Sequence, residues 1–330
     1  MLLAAESSRS NFASIDVPAS DWIALAVVVA VMLGIDLYRH REAHAPTQRE
    51  ALIESLVWVM TGVAFGVFLF LVHGGQVFGE YISGYLIEKS LSVDNVFVWS
   101  LLFTTMSIPI KYQHRVLFWG IFGALTLRGI FIAAGSALIS AFWWVLLIFG
   151  VFLIFTGFKI LRHREDEGED ASVRGMATLE KLMPVSHELD GQKFFTTLNG
   201  KRAATPLLAA LVVIELTDVI FAVDSVPAIL AVSHEPYIVF ASNAFAILGL
   251  RAMYFLLANA REQFHYLSHG LGAILIFVGI KMTISHWYHL NTYVSLAIIA
   301  TMLVAAIVFS LQRAKQLGIR PTELHEHHDH

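Results

Sequence analysis

Two nine-residue segments place acids where an apolar environment makes them expensive. Glu88-Lys89-Ser90-Leu91-Ser92-Val93-Asp94-Asn95-Val96 and Asp218-Val219-Ile220-Phe221-Ala222-Val223-Asp224-Ser225-Val226 each hold two carboxylates six residues apart and end on Val-Asp-(Asn/Ser)-Val. Glu215 adds a fifth acid just before Asp218. In an ideal helix a separation of seven aligns Glu88 with Asn95 and Asp218 with Ser225, leaving Asp94 and Asp224 about 100 to 120° round the axis. Each segment therefore presents a broad polar sector, suited to the crevice between two helices and unsuited to lipid. Carboxylates with Asn95, Ser225 and Asn243 make an all-oxygen set for hard cations such as Mn2+, Ca2+ or Mg2+. Soft copper or zinc sites would need Cys, which the chain lacks, or His among the central acids. The histidines His73, His114, His234, His265, His269, His286 and His289 instead fall at edges and in loops. The plainer reading is that the acids only pair with Arg128 and Arg251. Five acids against two arginines leave a negative excess, and unpaired buried carboxylates must be protonated or meet a cation. Asp94, Asp224, Glu88, Asp218, Glu215, Asn95, Ser225 and Asn243 are thus the expected metal-site residues, with Arg128 and Arg251 as counter-charges.

The elements that must position these residues are set by composition. Of 330 residues 57% are hydrophobic and only 15% charged, against roughly 25% in soluble domains, so lipid is the expected solvent. A large water-soluble enzyme is excluded, nucleic acid is not an expected partner, and no disulfide framework or Cys nucleophile can exist. Apolar runs give nine candidate spans, at about 22–38, 52–72, 82–105, 116–138, 142–160, 205–232, 238–258, 267–287 and 292–311. The fold class is an all-α polytopic membrane protein. Residues 1–21 form an extracytoplasmic tail, 22–312 the transmembrane domain with a cytoplasmic loop at about 161–204, and 313–330 a cytoplasmic tail rich in His and acids. Span 1 lacks a basic n-region and a small-residue cleavage site, and reads as a retained helix.

Lys and Arg fall in alternate connections: Arg39, Arg41 and Arg49; Lys111 and Arg115; Arg162 to Arg202; Arg261; and Arg313, Lys315 and Arg320. The intervening connections have none, which puts the N-terminus outside and the C-terminus in the cytoplasm of an inner-membrane protein. In the long loop, Phe194 to Arg202 surrounds an Asn-Gly pair and predicts a small hairpin. The charge run Arg162 to Asp170 reads as a solvated linker, and the tail His325 to His330 as a solvated end able at most to bind metal loosely.

The two acidic segments belong to a longer repeat. Leu125-Thr126-Leu127-Arg128 answers Leu248-Gly249-Leu250-Arg251, and Gly150, Gly157 and Lys159 answer Gly272, Gly279 and Lys281. From Arg to Lys is 31 residues in one copy and 30 in the other. Spans 3 to 5 and 6 to 8 are thus two copies of three helices, and an odd number inverts the second copy. Secondary transporters use such inverted repeats, with substrate near the bilayer midplane between the halves. Lys159 and Lys281 then sit near opposite interfaces, where each can snorkel. Gly62 and Gly66 form a small-xxx-small pair that could join copies into a homo-oligomer or pack within one chain.

The segments Gly84–Trp99 (GYLIEKSLSVDNVFVW), Glu215–Ile229 (ELTDVIFAVDSVPAI) and Ser242–Tyr254 (SNAFAILGLRAMY) resemble the TerC family of integral membrane proteins, closest to its bacterial Alx-type members. The resemblance runs from about span 1 through span 9 and implies an inner-membrane protein linked to manganese efflux, in a family whose name records tellurite resistance. The His-rich tail and the long N-terminal extension lie outside the pattern. The expected activity is export of a hard divalent cation, Mn2+ first, with the metal as substrate and no tightly bound cofactor. Lipid, the metal ion and exchanging protons are the expected partners. An intramembrane enzyme would need His-Glu-x-x-His or Gly-x-Ser-x-Gly, and neither occurs. A membrane scaffold that binds metal without moving it is the alternative.

Overall fold

The computed structural model describes residues 12–39, 46–142, 144–162, 184–186, 188–198, 200–257, 266–284 and 290–317. The charge run after Arg162, His265, His286, His289 and the acidic, His-rich tail lie outside these residues. The described helices are α1 (Ala19–Arg39), α2 (Gln48–His73), α3 (Gly75–Thr105), α4 (Ile110–Ala141), α5 (Val145–Arg162), α6 (Pro206–Leu230), α7 (Pro236–Leu248), α8 (Leu250–Leu257), α9 (Leu267–Ile284) and α10 (Thr292–Gln316). Strands β1 (Phe195–Leu198) and β2 (Lys201–Ala204) pair antiparallel between α5 and α6, with Leu198 opposite Lys201. That register leaves two residues between the strands, as expected for a two-residue hairpin, with Gly200 taking a φ of +75°.

Local chemistry explains the boundaries. Thr47 caps α2 reciprocally: its hydroxyl accepts the Glu50 N–H at 3.3 Å while its own N–H donates to the Glu50 carboxylate at 2.8 Å. A single residue, Gly74, with a φ of +88°, separates α2 from α3. Glycine reaches that conformation without strain, so the chain reverses in one step. α3 consequently starts at Gly75, ahead of the expected 82, and α4 starts at Ile110, ahead of 116. Polar residues in those first turns had hidden helix from a hydropathy reading. Span 7 is broken at Gly249 into α7 and α8, bent by 42°.

Six described helices are long and apolar enough to cross a membrane, or seven if α7 and α8 count as one bent span. α3 is not among them, because Glu80, Glu88, Lys89 and Asp94 dilute its apolar character. The outward faces are apolar: Val27 and Ile35 on α1, Leu56 and Phe68 on α2, and Phe155 on α5 are all exposed. An exposed apolar surface of this extent on backbone-satisfied helices fits a bilayer, making this an all-α polytopic membrane protein.

Glycines set the closest approaches. Gly62 faces the Tyr85 ring and Gly66 the Tyr81 ring, and the Tyr81 hydroxyl donates to the Gly62 carbonyl at 2.9 Å. That small pair is therefore used for α2 on α3 within the chain. On α5 and α9, a Cβ at Gly279 would lie 2.6 Å from the Gly150 carbonyl oxygen, and one at Gly157 would lie 2.7 Å from that of Gly272. The two backbones touch at both crossings.

Candidate functional site

α3 and α6 pack together, α3 also against α7 and α6 against α4, so the acidic segments face one another inside the bundle. Arg128, projecting from α4, is the hub and is only 1% exposed. Its Nη2 donates to Asp218 Oδ1 at 3.1 Å and its Nε to Oδ2 at 3.4 Å, a forked grip on one carboxylate. Its Nη1 donates to Glu88 Oε1 and, at 3.1 Å, to the Ser225 hydroxyl. Glu88 also accepts from Asn243 Nδ2 at 3.0 Å and from the Ser92 hydroxyl at 3.1 Å. Glu88, Asp218, Ser225, Asn243 and Arg128 are thus one fully buried network. Desolvation of two carboxylates is offset by one shared guanidinium and neutral donors, leaving a formal charge of minus one.

Glu215, one turn before Asp218, is half-buried against Gly123, where a Cβ would overlap its carboxylate. Asp224 is half-buried and accepts from the Thr156 hydroxyl of α5 at 3.2 Å. Asn95 is buried on α3. Asp94 lies in α3, with its side chain outside what the structure describes. Among the described residues, no three His, Cys, Asp or Glu side chains converge to hold a metal ion by themselves.

Arg251 stands apart from the other arginine. Its guanidinium pairs with Asp36 of α1 and, at 3.8 Å, with Glu54 of α2, while Arg39 reaches Glu54 at 3.4 Å. These two acids lie on α1 and α2, outside the repeat. Asp36 and Glu54 were visible in spans 1 and 2, and counting them against Arg251 would have predicted the pairing. Lys89 donates to the Ala246 carbonyl at 3.0 Å.

A second polar rung lies toward the opposite end. Glu80 of α3, fully buried, accepts from the Ser233 hydroxyl at 2.7 Å, from Gln76 Nε2 at 3.5 Å and from the Ala13 N–H at 2.6 Å. Lys281 of α9 is 5% exposed, within electrostatic reach of Glu80 and with its ammonium 5.9 Å from the Phe12 ring centroid. It is buried rather than snorkelling, whereas Lys159 is exposed. His234, between α6 and α7, stacks on Phe12 with centroids 4.0 Å apart. Burial first and the Lys281 charge second hold its imidazole down at about 4, so the ring is neutral. Glu235 is raised by burial, opposed by N–H donation from Ile15 and Tyr237. The sequence reading missed Glu80 because it started span 3 at about 82, seven residues after the helix begins at Gly75 and two after Glu80.

The whole bundle has recognisable relatives. Residues 73–317, which hold every element from α3 to α10, match the model of the integral membrane protein TerC family. An uncharacterized membrane protein of Myxococcus xanthus is 47% identical over 297 residues, covering 89% of this chain and 92% of that one. A protein of Escherichia coli (strain K12) named as a membrane-bound redox modulator, Alx, is 48% identical over 299 residues, covering 88% and 93%. No solved structure matches. A family match across most of the chain, and relatives aligned nearly end to end around this same membrane bundle, place the protein in the TerC family of integral membrane proteins.

Proposed function

We propose that the chain is an inner-membrane secondary transporter, not an enzyme, that exports a hard divalent cation, Mn2+ above others. The observation that carries the reading is a charge excess inside an apolar bundle. Glu88 and Asp218 share one guanidinium, that of Arg128, and Glu215 lies within electrostatic reach of Asp218. Glu215 has neither a hydrogen-bond nor an ion-pair partner among the described residues. Mid-membrane carboxylates are costly and mark ion pathways. In this reading Arg128 occupies the seat in the ion-free state, and the arriving cation takes its carboxylate partners, with Asp94, Asp224, Asn95, Ser225 and Asn243 supplying further oxygens. The metal is cargo, and no resident cofactor is part of the proposal.

Two features support nine spans built on an inverted repeat. Gly150 corresponds to Gly272 and Gly157 to Gly279, and Gly150 meets Gly279 while Gly157 meets Gly272. Exchanging the copies maps each contact onto the other, as a two-fold relation requires. Arg128 likewise bridges Glu88 and Asp218, which are equivalent acids from the two copies. Orientation with the basic hairpin end in the cytoplasm follows the positive-inside rule.

The name of the Alx relatives speaks of redox modulation. With no cysteine, this chain performs no thiol–disulfide exchange, so any redox role would be indirect, through control of a redox-active metal. The alternative, a metal-binding scaffold, draws on Arg128, which already satisfies two acids structurally. Liposomes containing only this protein separate the two: Mn2+ enters them if it is a transporter, and Mn2+ binding without entry makes it a scaffold.

A further inference from the structure

Residues 12–18 run extended across the end of the bundle away from the hairpin. Ala13, Ile15 and Val17 pack on the core, whereas Ser14, Asp16 and Pro18 are exposed, a period of two. Both inward N–H groups that are placed for it donate to carboxylates: Ala13 to Glu80 and Ile15 to Glu235. Phe12 closes the row by stacking on His234 beside Lys281. Two hydrogen bonds to carboxyl groups and one ring stack thus fasten this segment at three points.

What it covers is continuous with the central network. Glu80 and Glu88 are eight residues apart on α3, and Ser233 lies eight residues beyond Ser225, so the rung Glu80–Ser233 stands about 12 Å along the same α3–α6 seam from the rung Glu88–Arg128–Ser225. The geometry points to residues 12–17 as a plug that closes the outer end of this seam, with Glu80 the last carboxylate beneath it. The plug part stands on contacts alone; its role as a gate rests on the transport reading above.

The absence of cysteine makes a direct test available, since one introduced thiol is the only one. Ser233→Cys in the full chain, reconstituted in liposomes, is reacted with a membrane-impermeant maleimide. Ala13→Pro removes the N–H given to Glu80, and Phe12→Ala removes the stack. Either is expected to speed labelling by about tenfold, the ratio equivalent to about 1.4 kcal/mol, and to raise Mn2+ flux in the chain without the introduced thiol. Replacing residues 12–17 by Gly and Ser is the second variant, and is expected to expose the thiol fully. Equal labelling with and without the strap contacts overturns the plug. Faster labelling with Mn2+ flux unchanged overturns the gate. Faster labelling where no chain moves Mn2+ keeps the plug and removes the transport reading instead.

Discussion

Arg128 is the residue whose loss should be felt most. It is buried, with two carboxylates and a hydroxyl as partners. Arg128→Met leaves Glu88 and Asp218 adjacent and uncompensated, which should cost about 3 to 5 kcal/mol, the range for breaking a buried ion pair from one side. Adding Glu88→Gln removes one stranded charge and should recover part of that loss. Thermal unfolding in detergent checks both, and additive losses in the double variant would show that the two side chains do not share a network. The matched acids Asp94 and Asp224 are tested by a different readout. Asp94→Asn and Asp224→Asn keep size and remove charge, and each is expected to abolish Mn2+ export in a cell-based manganese assay with the protein still inserted. Glu215→Gln should have a graded effect. Unchanged export would remove the tested residue from the site.

Among the elements, the α5–α9 pair has the least room. A Cβ at Gly279 meets backbone, 2.6 Å from the Gly150 carbonyl oxygen and 2.9 Å from the Ile154 nitrogen. Backbone cannot swing aside as a side chain can, so Gly279→Ala should destabilise by about 1 to 3 kcal/mol, as overpacking does. Gly34 on α1 has nothing within 4 Å of its would-be Cβ, and Gly34→Ala should change stability by less than about 1 kcal/mol in the favourable direction. Equal melting temperatures for the two variants would contradict the packing argument. These glycines were legible in the sequence as matched spacings, and within the described residues the apolar runs fall mainly on helix. The hairpin was legible too, because Asn-Gly between β-formers specifies its own turn. The start of α3 was not, since Gly75 to Tyr81 include the polar Gln76 and the buried Glu80, whose hydrogen-bond partners Ser233 and Ala13 are distant in sequence. The Asp36 and Glu54 partners of Arg251 escaped for a related reason: repeat matching aligned it with Arg128, but these two acids come from α1 and α2, which lie outside the repeat.

At the scale of the whole molecule the question is what drives transport. Exporting a divalent cation against an inside-negative potential costs about 4.6 kcal/mol per 100 mV, twice the single-charge value. The chain holds no Gly-x-x-x-x-Gly-Lys-(Ser/Thr) nucleotide loop to supply that energy. Carboxylates that release a divalent cation can take up protons, so under the proposed export protons moving inward would return the site after each release. Two protons per Mn2+ would make the exchange electrically neutral and remove the voltage cost. In inside-out vesicles, Mn2+ uptake should therefore increase when the lumen is made more acidic than the bath. The Asp224→Asn chain should show no such response. Uptake that follows voltage and the Mn2+ gradient, and stays constant when a proton gradient is imposed at fixed voltage, would replace exchange with facilitated diffusion.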